Sequence, residues 1–205
     1  MSGYFFTFEG IDKSGKTTQA ELLADRLHKA GREVVFTHEP GGTPLGQAIR
    51  ALVVEGKTQG EICDEAEVLL FTADRCQHVW EVIRPALEAG KVVISDRYFD
   101  STLAYQGYGR RLDLGWLVSL QEKATGGLHP DRTFLVDVDL ETSKARGGLQ
   151  GSDRLETGPE ALYKRIRNGY FALAEKEPDR FICLDGRESM EALSKRIFEV
   201  VGPMI

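Results

Sequence analysis

Eight residues near the start of the chain, Gly10-Ile-Asp-Lys-Ser-Gly-Lys-Thr17, satisfy the pattern G-x-x-x-x-G-K-[ST] in full. They stand between a predicted strand, Tyr4–Phe8, and an amphipathic helical pattern, Thr17–Ala30. A glycine-rich turn in that position directs backbone N–H groups and the positive end of a helix dipole at one point. The motif therefore predicts a loop that binds the phosphates of a nucleoside triphosphate.

The residue types within this motif divide the chemistry of phosphate binding between them. Lys16 is predicted to reach the β- and γ-phosphates, and the Thr17 hydroxyl to coordinate Mg²⁺. The residues predicted to bind ATP are Gly10, Ile11, Asp12, Lys13, Ser14, Gly15, Lys16, Thr17 and Thr18. The motif does not say which reaction follows binding.

Short apolar runs alternate with longer helical patterns, as expected of a parallel sheet covered by helices. The predicted strands are Tyr4–Phe8, Val34–Thr37, Lys91–Ser95, Arg132–Asp137 and Arg180–Leu184. The predicted helices are Thr17–Ala30, Pro44–Val54, Asp64–Ala89 with a kink or break at Pro85, Leu114–Ala124, Leu140–Arg146, Pro159–Lys176 and Ser189–Val201. Residues 1–205 are therefore predicted to form a single α/β domain with a five-stranded parallel sheet, and the glycine-rich residues 147–158 a mobile lid.

Charge and composition restrict the class of protein. The net charge of −6 argues against a protein that coats nucleic acid, which would present a basic face. No apolar run approaches the ~20 residues that cross a bilayer, and Met1–Phe8 lacks the basic start of a signal peptide. The three cysteines are scattered, which is typical of reduced thiols. A cytoplasmic protein without nucleic-acid or membrane partners is expected.

A signalling GTPase is excluded by the absence of its guanine-reading motif N-K-x-D. The only asparagine is Asn168, which is followed by Gly169, and the only D-x-x-G is Asp12–Gly15 inside the phosphate loop. The length disfavours a large motor ATPase. A small kinase is the remaining prediction.

Asp96 and Arg97 follow the third predicted strand at its carboxyl end, where open α/β sheets bind ligands. Arg97 is a candidate to neutralise the transferring phosphoryl group or to clamp an acceptor phosphate, and a strand-end salt bridge is the alternative. Arg154, beside Asp153, lies in the glycine-rich segment 147–158. That segment is either a lid that closes over ATP or a solvated loop.

Several segments together resemble the bacterial thymidylate kinases, which phosphorylate dTMP to dTDP. These segments are Phe8–Gln19, Glu39–Thr43 with Gly46, Leu70–Arg75 with Gln77-His78, Asp96–Gly107, Pro130-Asp131 with Asp137–Asp139, and Arg146-Gly147 with Asp153–Glu156 and Tyr170. They follow the family's order over nearly the whole chain. The resemblance implies a three-layer P-loop nucleoside monophosphate kinase fold, ATP as the donor, dTMP as the acceptor and Mg²⁺ as the cofactor.

The resemblance also implies how the base and sugar are bound. Phe71 would stack on thymine, Arg75 would hydrogen-bond its O4 edge, and Tyr105 would pack at the sugar 2′ position. The remaining acceptor-binding positions that it implies are Asp12, Glu39, Arg97, Ser101, Thr102 and Gln106. From the residues alone, periodicity favours a core position for Phe71, and the alternatives are a helix-surface cation paired with Asp74 for Arg75 and a packing residue beside Gly107 for Tyr105.

For the phosphates, the resemblance implies that Arg97 holds the acceptor phosphate and that Asp12 lies near the sugar 3′-OH and the metal. Asp96 joins Thr17 as an expected metal ligand, and Arg146 joins the ATP-binding set. The expected catalytic residues are Lys16, Arg97, Asp12, Lys13 and Arg154. Lys13 and the lid arginine Arg154 are both candidates for the cation that reaches the transition state.

Two departures from the family pattern stand out. His38 occupies the position before Glu-Pro-Gly-Gly-Thr where the family usually has arginine, and residues 148–152 lengthen the lid. A homodimer is expected because related enzymes pair through helices, and Val68, Leu69, Val79 and Val82 belong either to such a face or to the core. The rival functions are a kinase for another small acceptor and an ATP-binding switch without acceptor chemistry.

Overall fold

The computed structural model describes residues 3–57, 60–148 and 158–205. Its strands are β1 (Tyr4–Glu9), β2 (Val34–His38), β3 (Val92–Asp96), β4 (Arg132–Asp137) and β5 (Phe181–Asp185). All pairings in this sheet are parallel, and the strand order is β2-β3-β1-β4-β5. The predicted five-stranded parallel sheet is confirmed.

Helices cover both faces of the sheet. They are α1 (Lys16–Lys29), α2 (Pro44–Val53), α3 (Asp64–His78), α4 (Arg84–Glu88), α5 (Phe99–Thr102), α6 (Leu114–Thr125), α7 (Leu140–Ala145), α8 (Glu160–Lys176) and α9 (Met190–Val201). Within the ranges that the structure describes, no helix is long and apolar enough to cross a membrane.

The strands bury alternate side chains on opposite faces, which produces the three layers. On β1, Phe6 and Phe8 pack with residues of α1 and α9, such as Leu27 and Ile197. Phe5 instead belongs to the core on the other face, which also includes residues of α3, α6 and α8. A strand that alternates in this way but is apolar on both sides is typical of a sheet covered on both faces.

The long helix predicted over Asp64–Ala89 is interrupted earlier than its proline suggested. A π-helical turn, Val79–Ile83, separates α3 from α4, and Pro85 lies in the first turn of α4. Proline is compatible with a first helical turn because the N–H that it lacks would have no intrahelical partner there. The wider π turn therefore accommodates the proline.

The segment after β3 contains helical structure that periodicity did not predict. Helix α5 continues directly into a π-helical turn, Leu103–Gly109. This turn packs mainly against α8. The side chains predicted to bind the acceptor, Thr102 to Gln106, are therefore carried by irregular helix beside the carboxyl end of the sheet.

Candidate active site

The phosphate loop, residues 10–17, joins the end of β1 to the start of α1. Its backbone is left-handed at Gly10 (φ 141°), Lys13 (φ 58°) and Gly15 (φ 102°). A Cβ atom at Gly10 would lie 2.3 Å from the carbonyl oxygen of Val136, so a larger residue does not fit. Gly15 precedes α1 without a side chain to cap it, which leaves the N–H groups of the first turn open to a ligand.

An open cleft lies over this loop and is called the loop cleft below. The residues predicted to bind ATP or metal that line it are Asp12, Lys13, Gly15, Lys16, Thr17, Thr18, Asp96 and Arg146. Lys13 is exposed at the cleft, whereas Lys16 is buried within it, with 6% of its surface accessible. The structure thus gathers most of the predicted ATP-binding set around one opening.

Lys16 and Asp12 lie close together at the base of the loop cleft. The Lys16 Nζ is 3.9 Å from Asp12 Oδ1. Burial lowers the pKa of Lys16, and the positive charge of Arg97 lowers it further. Burial alone would raise the pKa of Asp12, but the charges of Arg97 and Lys16 outweigh it and lower that pKa. Asp12 is therefore a carboxylate at neutral pH.

The corner formed by Thr17 and Asp96 fits a divalent cation. The Thr17 hydroxyl donates to Asp96 Oδ2. Asp96 Oδ1 is buried and has no hydrogen-bond partner among the described residues. Mg²⁺ is held by few protein oxygens, together with phosphate oxygens and water, so one hydroxyl and one carboxylate suffice on the protein side. The residues present fit the predicted metal.

Arg97 lies in a left-handed conformation (φ 71°) directly after β3. Its backbone N–H donates to the Phe8 carbonyl oxygen at 2.9 Å. Its Nη2 donates to Asp12 Oδ1 at 2.6 Å, and its Nη1 to the Gly10 carbonyl oxygen at 3.1 Å. The other Asp12 oxygen accepts the Tyr105 hydroxyl at 3.1 Å. The predicted strand-end cation is therefore fixed against the phosphate loop.

A second cleft is lined by Arg97 and is called the inner cleft below. All the side chains predicted to bind the acceptor line it: Asp12, Glu39, Phe71, Arg75, Arg97, Ser101, Thr102, Tyr105 and Gln106. Four residues line both clefts, namely Asp12, Glu39, Arg50 and Arg97. The two openings therefore meet at the Arg97–Asp12 pair.

One end of the inner cleft combines an aromatic face with fixed polar groups. Phe71 is 8% exposed and packs in a small core cluster with Ile49 and Val53 while also lining the cleft. Gln106 is held in place because its amide nitrogen donates to Glu67 at 2.9 Å. Tyr105, 9% exposed, lines the cleft next to Arg97. Such a pocket has the composition of a site for a planar polar ring.

Arg75 is buried in a polar network and is not a surface cation. Its Nε donates to Glu39 at 2.7 Å, not to Asp74, so the alternative pairing considered from the sequence is wrong. Its Nη1 donates to Thr102 at 3.1 Å and to Gln121 at 2.5 Å. Its Nη2 donates to the Tyr98 carbonyl oxygen at 3.1 Å, which uses one of the two hydrogens on that nitrogen.

Two residues of the site had no role assigned from the sequence. Arg50 lines both clefts, and its Nη1 donates to the Pro40 carbonyl oxygen at 3.1 Å. His78 is fully buried, with its Nδ1 2.9 Å from Glu39 Oε1. Arg50 lies on the helix that follows the glycine-rich loop, and that position could have indicated a residue that faces the site. The contact of His78 spans 39 residues and had no local signal.

Some predicted site residues make contacts within the protein or lie outside the described ranges. The Ile11 side chain is in the core, so only its backbone faces the loop. The Ser101 hydroxyl donates to Glu9 at 2.6 Å. Arg146 uses its guanidinium to bind the carbonyl oxygens of Ser14 at 3.3 Å and Gly186 at 2.9 Å. Arg154, and most of the lid predicted around 147–158, lie outside the described residues.

Comparison with known proteins gives one consistent family. The family model described as thymidylate kinase matches residues 8–197. A thymidylate kinase of Bifidobacterium longum is 50% identical over 196 residues, covering 94% of each chain. One from Desulfovibrio desulfuricans is 48% identical over 195 residues, covering 91% of this chain and 89% of the relative.

A solved structure agrees with these sequence relatives. The crystal structure of thymidylate kinase from Ehrlichia chaffeensis superposes with a TM-score of 0.80 at 35% identity, covering 98% of this chain and 99% of that one. The fold, the order of the motifs and the relatives lead to the same assignment. This chain belongs to the thymidylate kinase family.

Proposed function

We propose that this chain transfers the γ-phosphoryl group of Mg·ATP to dTMP, giving dTDP and ADP. The observation that carries the proposal is that the loop cleft and the inner cleft meet at Arg97 and Asp12. A polyphosphate on the phosphate loop and a nucleotide phosphate in the inner cleft would then face one guanidinium. In-line transfer requires that proximity and that positive charge.

On the donor side, the α1 N-terminus and Lys16 would hold the β- and γ-phosphates. The backbone N–H groups are directed by left-handed Gly10 and Gly15, and the buried Lys16 ammonium adds charge in a site of low polarity. Thr17 and Asp96 would hold Mg²⁺, which neutralises charge on the phosphates when bound. Lys13, exposed at the loop cleft, is available as a further cation.

On the acceptor side, Phe71 would stack on thymine. The second Nη2 hydrogen of Arg75 would bind the O4 edge, and Gln106 and Thr102 would fix the rest of the ring. Tyr105 would contact the sugar and leave no space for a 2′-hydroxyl. Each of these side chains is buried and held by protein contacts, so little ordering is needed on binding.

The reaction needs no general base. The second pKa of an alkyl phosphate is about 6, so dTMP is largely a dianion at neutral pH and has no proton to lose. Asp12, a carboxylate paired with Arg97, would fix the guanidinium and the sugar hydroxyl without taking up a proton. The protein therefore acts by positioning and by neutralising charge.

A panel of acceptors tests the proposal. ADP release should depend on dTMP, fall by about tenfold with dUMP, which lacks one methyl group, and fall by about a hundredfold or more with dCMP, AMP and GMP. A coupled ADP assay at matched concentrations measures this. Equal turnover with another nucleotide would indicate a different kinase, and ADP release that no acceptor changes would indicate an ATP-binding switch.

We further propose a homodimer that forms through one face of the α3 region. Val68 and Val79 are buried in the core of the monomer, so they do not belong to this face. Leu69 is 52% exposed and Trp80 71% exposed, and the exposed Ala73 and Cys76 lie between them at helical spacing. An exposed apolar stripe of this kind marks an association site.

Changing Trp80 to Glu should convert the dimer to a monomer, because it would bury a charge in the interface. Sedimentation velocity measures this, with Met190→Glu on α9, an apolar side chain that is 48% exposed, as the control for a charge placed at an exposed apolar position. A wild-type monomer would contradict the proposal, as would dissociation of both variants.

We also place the reaction in the cytoplasm, where ATP is supplied, and cell fractionation checks that placement.

A further inference from the structure

Glu9 is a buried acidic residue at the end of β1 that the proposed transfer does not use directly. It has no accessible surface. Its Oε1 accepts the Tyr98 backbone N–H at 2.8 Å. Its Oε2 accepts two hydroxyls, that of Ser101 at 2.6 Å and that of Tyr170 at 2.9 Å. Burying a carboxylate costs free energy unless hydrogen bonds compensate for the lost hydration, so the groups that donate to Glu9 indicate its role.

The same two hydroxyls also contact Arg97. The Arg97 Nη1 lies 3.1 Å from Ser101 Oγ and 3.3 Å from the Tyr170 hydroxyl oxygen. The two hydroxyl oxygens also lie 3.0 Å from each other, but each hydroxyl has one hydrogen, and the ionised Glu9 Oε2, at 2.6 and 2.9 Å, is the stronger acceptor for both. Only lone pairs are therefore left to face Arg97, and both oxygens accept from it. The carboxylate fixes the direction of both hydrogen bonds.

We propose that Glu9 is a positioning residue for the phosphoryl transfer proposed above: through Ser101 and Tyr170 it holds the guanidinium of Arg97 where the two clefts meet. The contact to Asp12 fixes one nitrogen of that guanidinium, and the Glu9 network, together with the Gly10 carbonyl oxygen, fixes the other. Together they set the plane in which Arg97 meets a phosphate. This inference rests on the proposed function.

The network predicts a dependence on the protonation of Glu9. Burial raises the pKa of Glu9 to about 7, and the negative charge of Asp100 contributes, while Arg97 opposes the shift. The charged or titratable groups around Glu9 are Asp100, Arg97, Lys16, Tyr98 and Tyr170. Asp100 is itself held by Arg180 at 2.7 and 2.9 Å. A protonated Glu9 would carry its own hydrogen, so one hydroxyl would turn its hydrogen towards Arg97 and repel it.

The direct test is Glu9→Gln, which keeps the shape and removes the carboxylate. We expect kcat/KM for dTMP at pH 8 to fall about ten- to a hundredfold, with the KM for Mg·ATP within about twofold of wild type. The wild-type profile should lose activity as the pH falls through about 7, whereas the variant should keep only the limb near about 6 that protonation of the dTMP phosphate itself produces. Unchanged dTMP kinetics and an unchanged pH limb would overturn the inference.

A coupling experiment separates positioning from a structural role. In a background of Ser101→Ala with Tyr170→Phe, the hydroxyls that connect Glu9 to Arg97 are gone. Glu9→Gln should then change dTMP kinetics by less than about twofold, because coupled residues are not additive. Effects that multiply independently would show that Glu9 does not act through these hydroxyls.

Two further measurements decide the remaining outcomes. If Glu9→Gln fails to fold, the double variant Ser101→Ala, Tyr170→Phe is measured instead. We expect it to raise the KM for dTMP and to leave the KM for Mg·ATP unchanged. An unchanged KM for dTMP would overturn the inference. Wild-type enzyme with dTMP is measured first. Absence of dTMP-dependent ADP release there would reject the proposed function, whereas normal wild-type turnover with silent variants would reject only the role of Glu9.

Discussion

Changing Lys16 to Met is expected to lower kcat with dTMP by roughly three or more orders of magnitude while the fold stays intact. Lys16 is 6% exposed, is the first residue of α1, and has its Nζ 3.9 Å from Asp12 Oδ1. Its charge acts in surroundings that exclude water, where it stabilises phosphate oxygens far more strongly than at a surface. Methionine fills a similar volume but supplies no charge.

The fold should tolerate this change because a buried charge contributes little to stability. Burial and the positive charge of Arg97 both lower the pKa of Lys16, so the ammonium is held in unfavourable surroundings. Removing it leaves no unpaired charge, because Asp12 keeps its 2.6 Å pair with Arg97. Thermal unfolding, followed by circular dichroism, should give a Tm at or above that of the wild type.

Lys29→Met is the matched control for this prediction. It makes the same substitution on the same helix, but Lys29 is exposed in the last turn of α1. Its kcat should stay within about twofold of wild type, since surface changes away from special contacts have small effects. Near-normal turnover by the Lys16 variant would contradict the proposed role of Lys16 in binding the donor phosphates.

Changing Arg97 to Ala should lower kcat/KM for dTMP by about a hundredfold or more, through both a higher KM for dTMP and a lower kcat. Its guanidinium lies where the two clefts meet, with Nη2 2.6 Å from Asp12. Removing it takes a cation from the acceptor phosphate and leaves the half-buried Asp12 without its closest partner. Steady-state kinetics with each substrate varied in turn measures both effects.

Arg111→Ala controls for the backbone at this site. Arg97 and Arg111 both have left-handed backbone conformations, with φ of 71° and 66°, but Arg111 is exposed. Alanine therefore meets the same conformational cost at both positions, and only the Arg97 variant should lose activity. If Arg97→Ala changed only the KM for ATP, its assignment to the acceptor phosphate would be wrong.

Local patterns predicted the parts of the structure that depend on local chemistry. The phosphate loop follows from its glycines and from the strand and helix around it, and all five strands were found to within two residues of their bounds. The clefts could be anticipated only through the family resemblance. Periodicity alone placed Phe71 in the core, and the structure places it both in a core cluster and at the inner cleft.

Contacts between distant residues explain what the sequence could not show. Arg75 pairs with Glu39, 36 residues away, and not with its neighbour Asp74. The hydrogen bond between Glu9 and Tyr170 spans 161 residues. The two π-helical turns, Val79–Ile83 and Leu103–Gly109, follow the α-helical spacing of apolar residues only approximately. Periodicity therefore included the first in one long helix and did not predict the second.

A crystal structure with Mg²⁺, a nonhydrolysable ATP analogue and dTMP tests the central claim most directly. We predict that the γ-phosphate of the analogue contacts Lys16 and the N–H groups at the start of α1. We also predict that the dTMP phosphate lies at Arg97 and that thymine stacks on Phe71. A phosphate loop without nucleotide, or a dTMP bound away from the inner cleft, would contradict it.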